Sequence, residues 1–254
     1  MNFLILGALE IRHDDTLVPI PSSRLRAILA GLLLNANRFV TVDNLLEYIW
    51  DAAPPSSPRA ALHTYVYRLR RILAVLPQVN LQTDTAGYWL DVSPVSIDAN
   101  VFDDRVSEAR WHVSHGDLAS AAIRLRSALS MSRGRTLANV NTERIRQEAQ
   151  VFDSKRLTIH EELLNIELTL GKHRQIVPEL GRLMAAHPYR EALAAQLMLA
   201  LYRSGDQVEA LNVYSKIRHR LHDELGLEPG PDLQALQLAV LKRTSPDALA
   251  NPRM

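Results

Sequence analysis

Arginines at helical spacing, with no acid among them, are the first chemistry this sequence offers. No Asp or Glu occurs between Asp51 and Asp84, and the stretch 57–73, S-P-R-A-A-L-H-T-Y-V-Y-R-L-R-R-I-L, carries Arg59, Arg68, Arg70 and Arg71. A guanidinium holds its N–H donors in a rigid plane. That plane matches the paired acceptors on the major-groove edge of guanine and the oxygens of a phosphate. Leu62, Val66, Leu69 and Leu73 recur every three or four residues, with Tyr65 and Ile72 beside them, so the spacing predicts a helix with one apolar face. At about 100° per residue, the opposite side carries Ala60, Thr64, Tyr67 and Arg71, flanked by Arg59, His63, Arg68 and Arg70. Pro58 suits the first helical turn, where its missing amide has no partner to lose. A helix buried on one face and purely cationic on the other suits the major groove of a duplex. A solvated basic face is the plain alternative, although most surface helices mix both signs of charge.

No catalytic constellation competes with this helix. Of nine histidines, His112/His115 and His219/His222 stand three apart, but no third ligand is evident near either pair, so no metal is expected. Gly171-Lys172 lacks the preceding glycine of a phosphate loop, and Ser204-Gly205 lacks the flanking glycine of a nucleophile elbow. Glu161 and Glu162 fall on a long amphipathic pattern and are most simply solvent-facing. No cysteine occurs, which excludes disulfides, thiol catalysis and Cys-based zinc sites. No cofactor is expected, and no polar cluster points to a small-molecule ligand.

Composition sets the frame for that helix. A length of 254 residues suits two domains, and 47% apolar with 22% charged residues is globular. Net charge is only +1, so attraction to nucleic acid has to come from a local patch. Residues 1–97 hold 8 basic and 8 acidic side chains, which makes the acid-free stretch a directed surface. The N-terminus lacks the basic start and long apolar run of a signal peptide, and no apolar stretch approaches the ~20 residues that span a bilayer. A cytoplasmic, nucleoid-associated protein without a membrane partner is expected.

The elements around the helix can be read in order. Phe3 to Ile11 is a strand broken at Gly7, and Leu17 to Ile20 is a second strand, giving a small antiparallel sheet. Ser22 or Ser23 caps a helix from Arg24 to about Asn35 that is apolar almost all round. Residues 35–39 form a turn. Thr41 caps a helix from Val42 to Trp50, and the two prolines of D-A-A-P-P-S-S make the loop before the basic helix. Leu81 to Thr83 and Gly87 to Val92 then form a hairpin. Sheet, two helices, basic helix and hairpin is the order of a helix-turn-helix reader with a wing. Arg68 and Arg71 are the expected readers of base edges, with Thr64 and Tyr67 offering methyl or hydroxyl contacts. Arg24, Arg26, Arg59, His63, Arg70 and the amide of Thr41 are the expected phosphate contacts.

Y-V-Y-R-L-R-R-I-L followed by G-Y-W-L resembles the winged-helix effector domain of the OmpR type. F-L-I-L-G-A-L-E-I, A-N-R-F-V-T-V-D-N-L-L-E-Y-I-W and L-H-T-Y-V-Y-R-L-R-R narrow the resemblance to the Streptomyces antibiotic regulatory protein (SARP) family. It implies an activator of secondary-metabolite biosynthetic genes that binds promoter direct repeats as a head-to-tail homodimer. It also implies that the loop of Trp50, Asp51, Ala52, Ala53, Pro54 and Pro55 touches RNA polymerase. Two positions depart from the family pattern. Tyr67 stands where a small polar residue is common, and the wing tip D-T-A-G has Asp84 and no arginine. The wing, with Thr85, Gly87 and Tyr88, is therefore expected to meet DNA through amides and Thr85.

The second half reads as helices. Asp98 caps a helix to about Ser114, Gly116-Asp117 opens another to Met131, and a long pattern spans Glu143 to Leu170. Further helices cover about 174–186, 190–203, 207–225 and 232–242. Gly116, Gly171 and Gly205 each separate two helices, and the last two lie 34 residues apart, the tetratricopeptide period. H-P-Y-R-E-A-L, L-M-L-A-L-Y-R-S-G-D-Q-V-E-A-L and D-E-L-G-L-E-P-G-P-D-L resemble the bacterial transcriptional activator domain, which implies a module for regulation and self-association. The expected fold is mainly α. An OmpR-type winged helix over 1–92, with small antiparallel sheets, precedes a linker at 93–97, an all-α tetratricopeptide-like array over 98–243 and a flexible tail at 244–254. Two rivals stand beside a DNA-binding regulator. One is a tetratricopeptide adaptor whose winged helix binds protein, which leaves the acid-free arginine face unexplained. The other is a response-regulator effector, for whose receiver domain no room precedes Met1.

Overall fold

A computed structural model describes residues 2–51, 54–245, 249 and 251. The chain divides into two compact units, Met1–Glu108 with Arg126–Leu157, and Ala109–Leu125 with Thr158–Met254.

The first unit begins with β1 (Phe3–Leu4), β2 (Glu10–His13) and β3 (Thr16–Val18), an antiparallel sheet in that order. The break expected at Gly7 in the strand Phe3 to Ile11 is wider than one residue, running from the end of β1 to Glu10, because residues 5–7 spend their main-chain groups elsewhere. The oxygens of Ile5, Leu6 and Gly7 accept from the amides of Leu137, Arg133 and Ala138. The amides of Ile5 and Leu6 donate to the carboxylate of Asp98 at 2.8 and 3.0 Å. A Cβ on Gly7 would lie 2.9 Å from Arg133 Cβ, so this crossing needs glycine.

Next come α1 (Ser23–Leu34), β4 (Val40–Thr41), α2 (Val42–Ile49), α3 (Pro58–Leu73), β5 (Asn80–Asp84) and β6 (Gly87–Asp91). Helix α1 is the centre of the core, with residues 27–33 buried without a break. The Tyr48 ring lies so close to Gly31 that a Cβ there would sit 2.6 Å from it, which lets α1 and α2 pack tightly. Thr41 caps α2 as expected, its hydroxyl accepting from the Asn44 amide at 3.2 Å. Strand β4, absent from the sequence reading, joins the hairpin in a sheet ordered β4-β6-β5.

This unit continues past residue 92. A 3-10 turn at Pro94–Ser96 leads to Ile97, which bridges Phe3 in parallel, and then to α4 (Asp98–Ser114). Asp98 does not act as the expected helix cap. It is 1% exposed, and its carboxylate ties the start of α4 to the end of β1. Burial pushes this carboxyl above its ordinary range, against the pull of the Ile5 and Leu6 amides and of Arg133. Within 93–97, Ser93, Pro94 and Val95 are exposed, while Ser96 O accepts from the Asn2 amide and Ile97 is buried beside Phe3.

The boundary between the units falls inside α4, α5 (Leu118–Leu129) and α6 (Glu143–Thr169). The second unit adds α7 (His173–Ala186), α8 (Glu191–Arg203), α9 (Gln207–Leu225) and α10 (Pro231–Leu241). Gly116, Gly171 and Gly205 all take positive φ at the helix turns, where a side chain would strain the backbone. Glu161 is buried, not solvent-facing, and is paired through both oxygens with Arg190 at 2.8 and 3.0 Å. The described tail residues are tied down. Thr244 O accepts from the Tyr202 hydroxyl, and Arg203 holds Leu249 O and Asn251 Oδ1. Among the described residues no helix is long and apolar enough to cross a membrane.

Candidate nucleic-acid interface

Helix α3 buries Leu62, Val66, Leu69 and Leu73 and exposes Ala60, Thr64, Tyr67, Arg68 and Arg71. Pro58 stands in its first turn, and Arg70 and Arg71 lie in the last, where cations complement the helix dipole. Tyr67 is 63% exposed, an uncommon setting for a large aromatic ring. Arg68 and Arg71 have no hydrogen bond or ion pair among the described residues. Their donors therefore face outward, both C-terminal to Tyr67 on the exposed side of α3, and Thr64 returns its hydroxyl to Ala60 O one turn back.

The other expected contacts divide by what holds them. Arg59 pairs with Asp43 at 3.1 Å, both largely exposed, a contact that solvent weakens and a phosphate could displace. Arg70 is exposed, but its guanidinium is already engaged. Its Nε and NH2 donate to Leu81 O at 3.0 and 2.8 Å, and NH2 also reaches the Thr83 hydroxyl, so it braces β5 against α3. Arg24 likewise donates to Ile49 O and lies 5.7 Å over the Trp50 ring. Arg26 donates to Ile20 O at 2.8 Å and to Asn139 O. A main-chain carbonyl already fixes each of these three guanidiniums.

The wing is a two-residue hairpin, Asp84 opposite Gly87, with Thr85 exposed at its tip. Asp84 accepts from both the amide and the hydroxyl of Thr85, so the groups expected to meet DNA are already engaged beside a negative charge. Tyr88 and Gly87 are buried and are not contact residues. A Cβ on Gly87 would lie 2.1 Å from Val40 O, so glycine is what lets β4 approach β6. Tyr88, 2% exposed, brings its hydroxyl to 3.0 Å from His63 Nδ1. Burial pushes its phenol above the ordinary value, with the charge of Arg70 pulling the other way, so it stays protonated and can donate to Nδ1.

The loop before α3 is only partly open. Trp50 is 7% exposed and tilted against Tyr65, and Asp51 accepts from the Glu143 amide at 2.7 Å, capping α6. Pro54 and Pro55 are exposed, while Ala52 and Ala53 lie outside the described residues. Two residues of this region escaped sequence reasoning. Asn37, in the left-handed region, clasps Val92 through both its amide groups, and its place in a short polar turn was the available signal. The other is Asp43, which stands 16 residues from Arg59, so nothing local marked it as that residue's partner.

The histidine pairs are occupied locally, His112 by Asp117 at 3.3 Å and His115 by stacking on Trp111. His219 bonds Ser215 O and His222 lies near Glu228. Among the described residues, no three His, Cys, Asp or Glu side chains group as a metal site would.

Comparison with known proteins places this geometry. A family model described as bacterial transcriptional activator domain matches residues 97–241, and one described as transcriptional regulatory protein, C terminal, matches 20–90. Regulatory protein DnrI of Streptomyces peucetius is 36% identical over 251 residues, covering 95% of this chain and 92% of DnrI. Regulatory protein AfsR of Streptomyces coelicolor is 40% identical over 248 residues, covering 95% of this chain but 24% of AfsR. The structure of Mycobacterium tuberculosis EmbR in complex with a low-affinity phosphopeptide superposes with a TM-score of 0.90 at 33% identity, over 95% of this chain and 65% of EmbR.

Proposed function

The chain belongs to the SARP family of transcriptional regulators, an OmpR-type domain followed by a bacterial transcriptional activator domain, and from that premise we propose that it binds promoter DNA through α3 and activates transcription. The observation that carries this reading is the pair of unpaired arginines, Arg68 and Arg71, on the same exposed side of α3 as Tyr67 and opposite a buried stripe. Arg68 and Arg71 read base edges, and Tyr67 packs its ring on a thymine methyl or an equivalent apolar edge. Arg59 and His63 hold phosphates, with Asp43 released as Arg59 engages. The chain acts on direct repeats as a homodimer formed on DNA, contacts RNA polymerase through exposed Pro54 and Pro55, and controls secondary-metabolite genes in the cytoplasm. Membership of the family, and likeness to the regulatory proteins DnrI and AfsR, support a role in transcription regulation. Nothing in the site calls for catalysis or a cofactor.

Selection of bound duplexes from a random pool tests the reading and supplies the operator. On the selected site, Arg71→Ala is expected to weaken binding by about 1–3 kcal/mol and to relax one base position. A phosphate role would instead weaken binding to all duplexes alike and flatten the salt dependence. Failure of the chain to retain any duplex at low salt would favour a protein-binding adaptor.

A further inference from the structure

We propose that Tyr88, buried in the wing, is a positioning residue for DNA binding: its phenol donates to Nδ1 of His63 and so fixes Nε2 as the N–H donor that meets a phosphate of the duplex. This role depends on the phosphate contact proposed above for His63.

His63 alone is a poor phosphate ligand. It stands exposed on α3, where its ring is free to turn. A neutral imidazole carries its single N–H on either nitrogen, and a phosphate oxygen only accepts. A ring that presents its bare nitrogen to the phosphate repels it. A neighbour that donates to one ring nitrogen removes both faults, because that bond holds the ring and sets which nitrogen carries the proton.

Tyr88 has the placement for that task. Strand β6 is the middle strand of its sheet, and Tyr88 is paired with Val40 of β4 on one side and Thr83 of β5 on the other. Its ring meets the imidazole edge-on, with centroids 6.4 Å apart and planes at 67°. The hydroxyl lies 3.0 Å from Nδ1 and makes no other hydrogen bond among the described residues. Burial holds the phenol in its protonated form, as a donor. Nε2 of His63 has no hydrogen bond among the described residues.

The same flank of α3 carries Arg59 and Arg70, and there the protein takes up donors that a phosphate would need. Arg59 pairs with Asp43, and Arg70 donates to Leu81 O. At His63 the protein engages one ring nitrogen and leaves the other open. A side chain held in this way loses less freedom when DNA arrives, which raises affinity without adding a contact.

Affinity of the full chain for the selected operator at fixed salt tests this in Tyr88→Phe, His63→Ala and the double variant. Tyr88→Phe removes only the hydroxyl and should weaken binding about threefold to tenfold, the value of one hydrogen bond. In His63→Ala the same change should cost nothing further, since the phenol acts through the imidazole. His63→Gln offers an amide N–H without needing the phenol. It should recover part of the His63→Ala loss and be indifferent to Tyr88→Phe. Replacing operator phosphates one at a time by uncharged methylphosphonate should reveal one position whose effect is absent in His63→Ala and reduced in Tyr88→Phe. Circular dichroism and melting confirm that the variants fold. Equal losses from Tyr88→Phe in all three backgrounds would mark a purely structural hydroxyl, and undiminished affinity in Tyr88→Phe would leave His63 acting without it. Either result overturns the proposal. Failure of the unaltered chain to hold any duplex would overturn DNA binding itself, and this role with it.

Discussion

Replacing Arg70 by alanine separates a brace from a phosphate ligand. In the structure this guanidinium makes two hydrogen bonds to Leu81 O and one to Thr83 Oγ1. A hydrogen bond involving a charged group contributes about 1.5–3 kcal/mol when buried. Arg70 is exposed, so solvent competes for each of these bonds, and the three together should be worth about 1–2 kcal/mol. Arg70→Ala should destabilise the unit containing Trp50 and Trp89 by that amount, read as a lower urea midpoint by tryptophan fluorescence. Amide exchange should accelerate in β5 and β6, which lose their tie to α3. Arg70→Lys keeps the charge but not the planar fork, and should recover only part of the loss. A different pattern would refute this reasoning: unchanged stability and hairpin exchange in Arg70→Ala, together with a DNA-binding salt slope reduced by about one, the signature of a lost phosphate contact.

Other perturbations follow from the same packing. Gly87→Ala drives a Cβ onto Val40 O, so it should cost about 3 kcal/mol, the upper part of the range for overpacking, read as a lower thermal midpoint. Asp98→Asn sets an NH2 against the Ile5 or Leu6 amide and should cost about 1–3 kcal/mol. Because burial raises the Asp98 pKa, the native chain holds that proton more tightly than the unfolded one. Its stabilising effect is complete below the unfolded value of about 3.9 and is lost as pH rises through the folded value. The gap between the unaltered chain and Asp98→Asn should therefore narrow with rising pH across that window, as urea midpoints at successive pH values would show. Asp84→Arg turns a repulsive wing tip into an attractive one, and should strengthen DNA binding and steepen its salt dependence by about one phosphate contact.

Helix α3 was legible because its apolar stripe, Leu62 to Leu73, persists over about three turns, long enough for the 3.6-residue period to stand out. The Thr41 cap was legible because hydroxyl and amide lie three residues apart. The destinations of Arg24, Arg26 and Arg70 were not, since each is a main-chain carbonyl brought near by the tertiary fold and carries no side-chain signature. Strand β4 is two residues long and pairs with β6, more than 40 residues away, so no local pattern announced it. Tyr88 looked like a wing contact by sequence position, but strand alternation puts it with Leu90 on the buried face of β6. Asp98 shows the same limit. An acid before a helix reads as a cap, and only the fold reveals that the N-terminal strand needs it more.

Methylation interference on the selected operator tests most directly whether α3 reads the major groove. Dimethyl sulfate places a methyl on guanine N7 in the major groove and on adenine N3 in the minor groove. The account predicts that N7 methylation at a few guanines, repeated in the same orientation in each half-site, blocks binding, and that Arg71→Ala or Arg68→Ala removes the effect at one of them. Interference confined to adenine N3, or an N7 pattern unchanged in both variants, would contradict it.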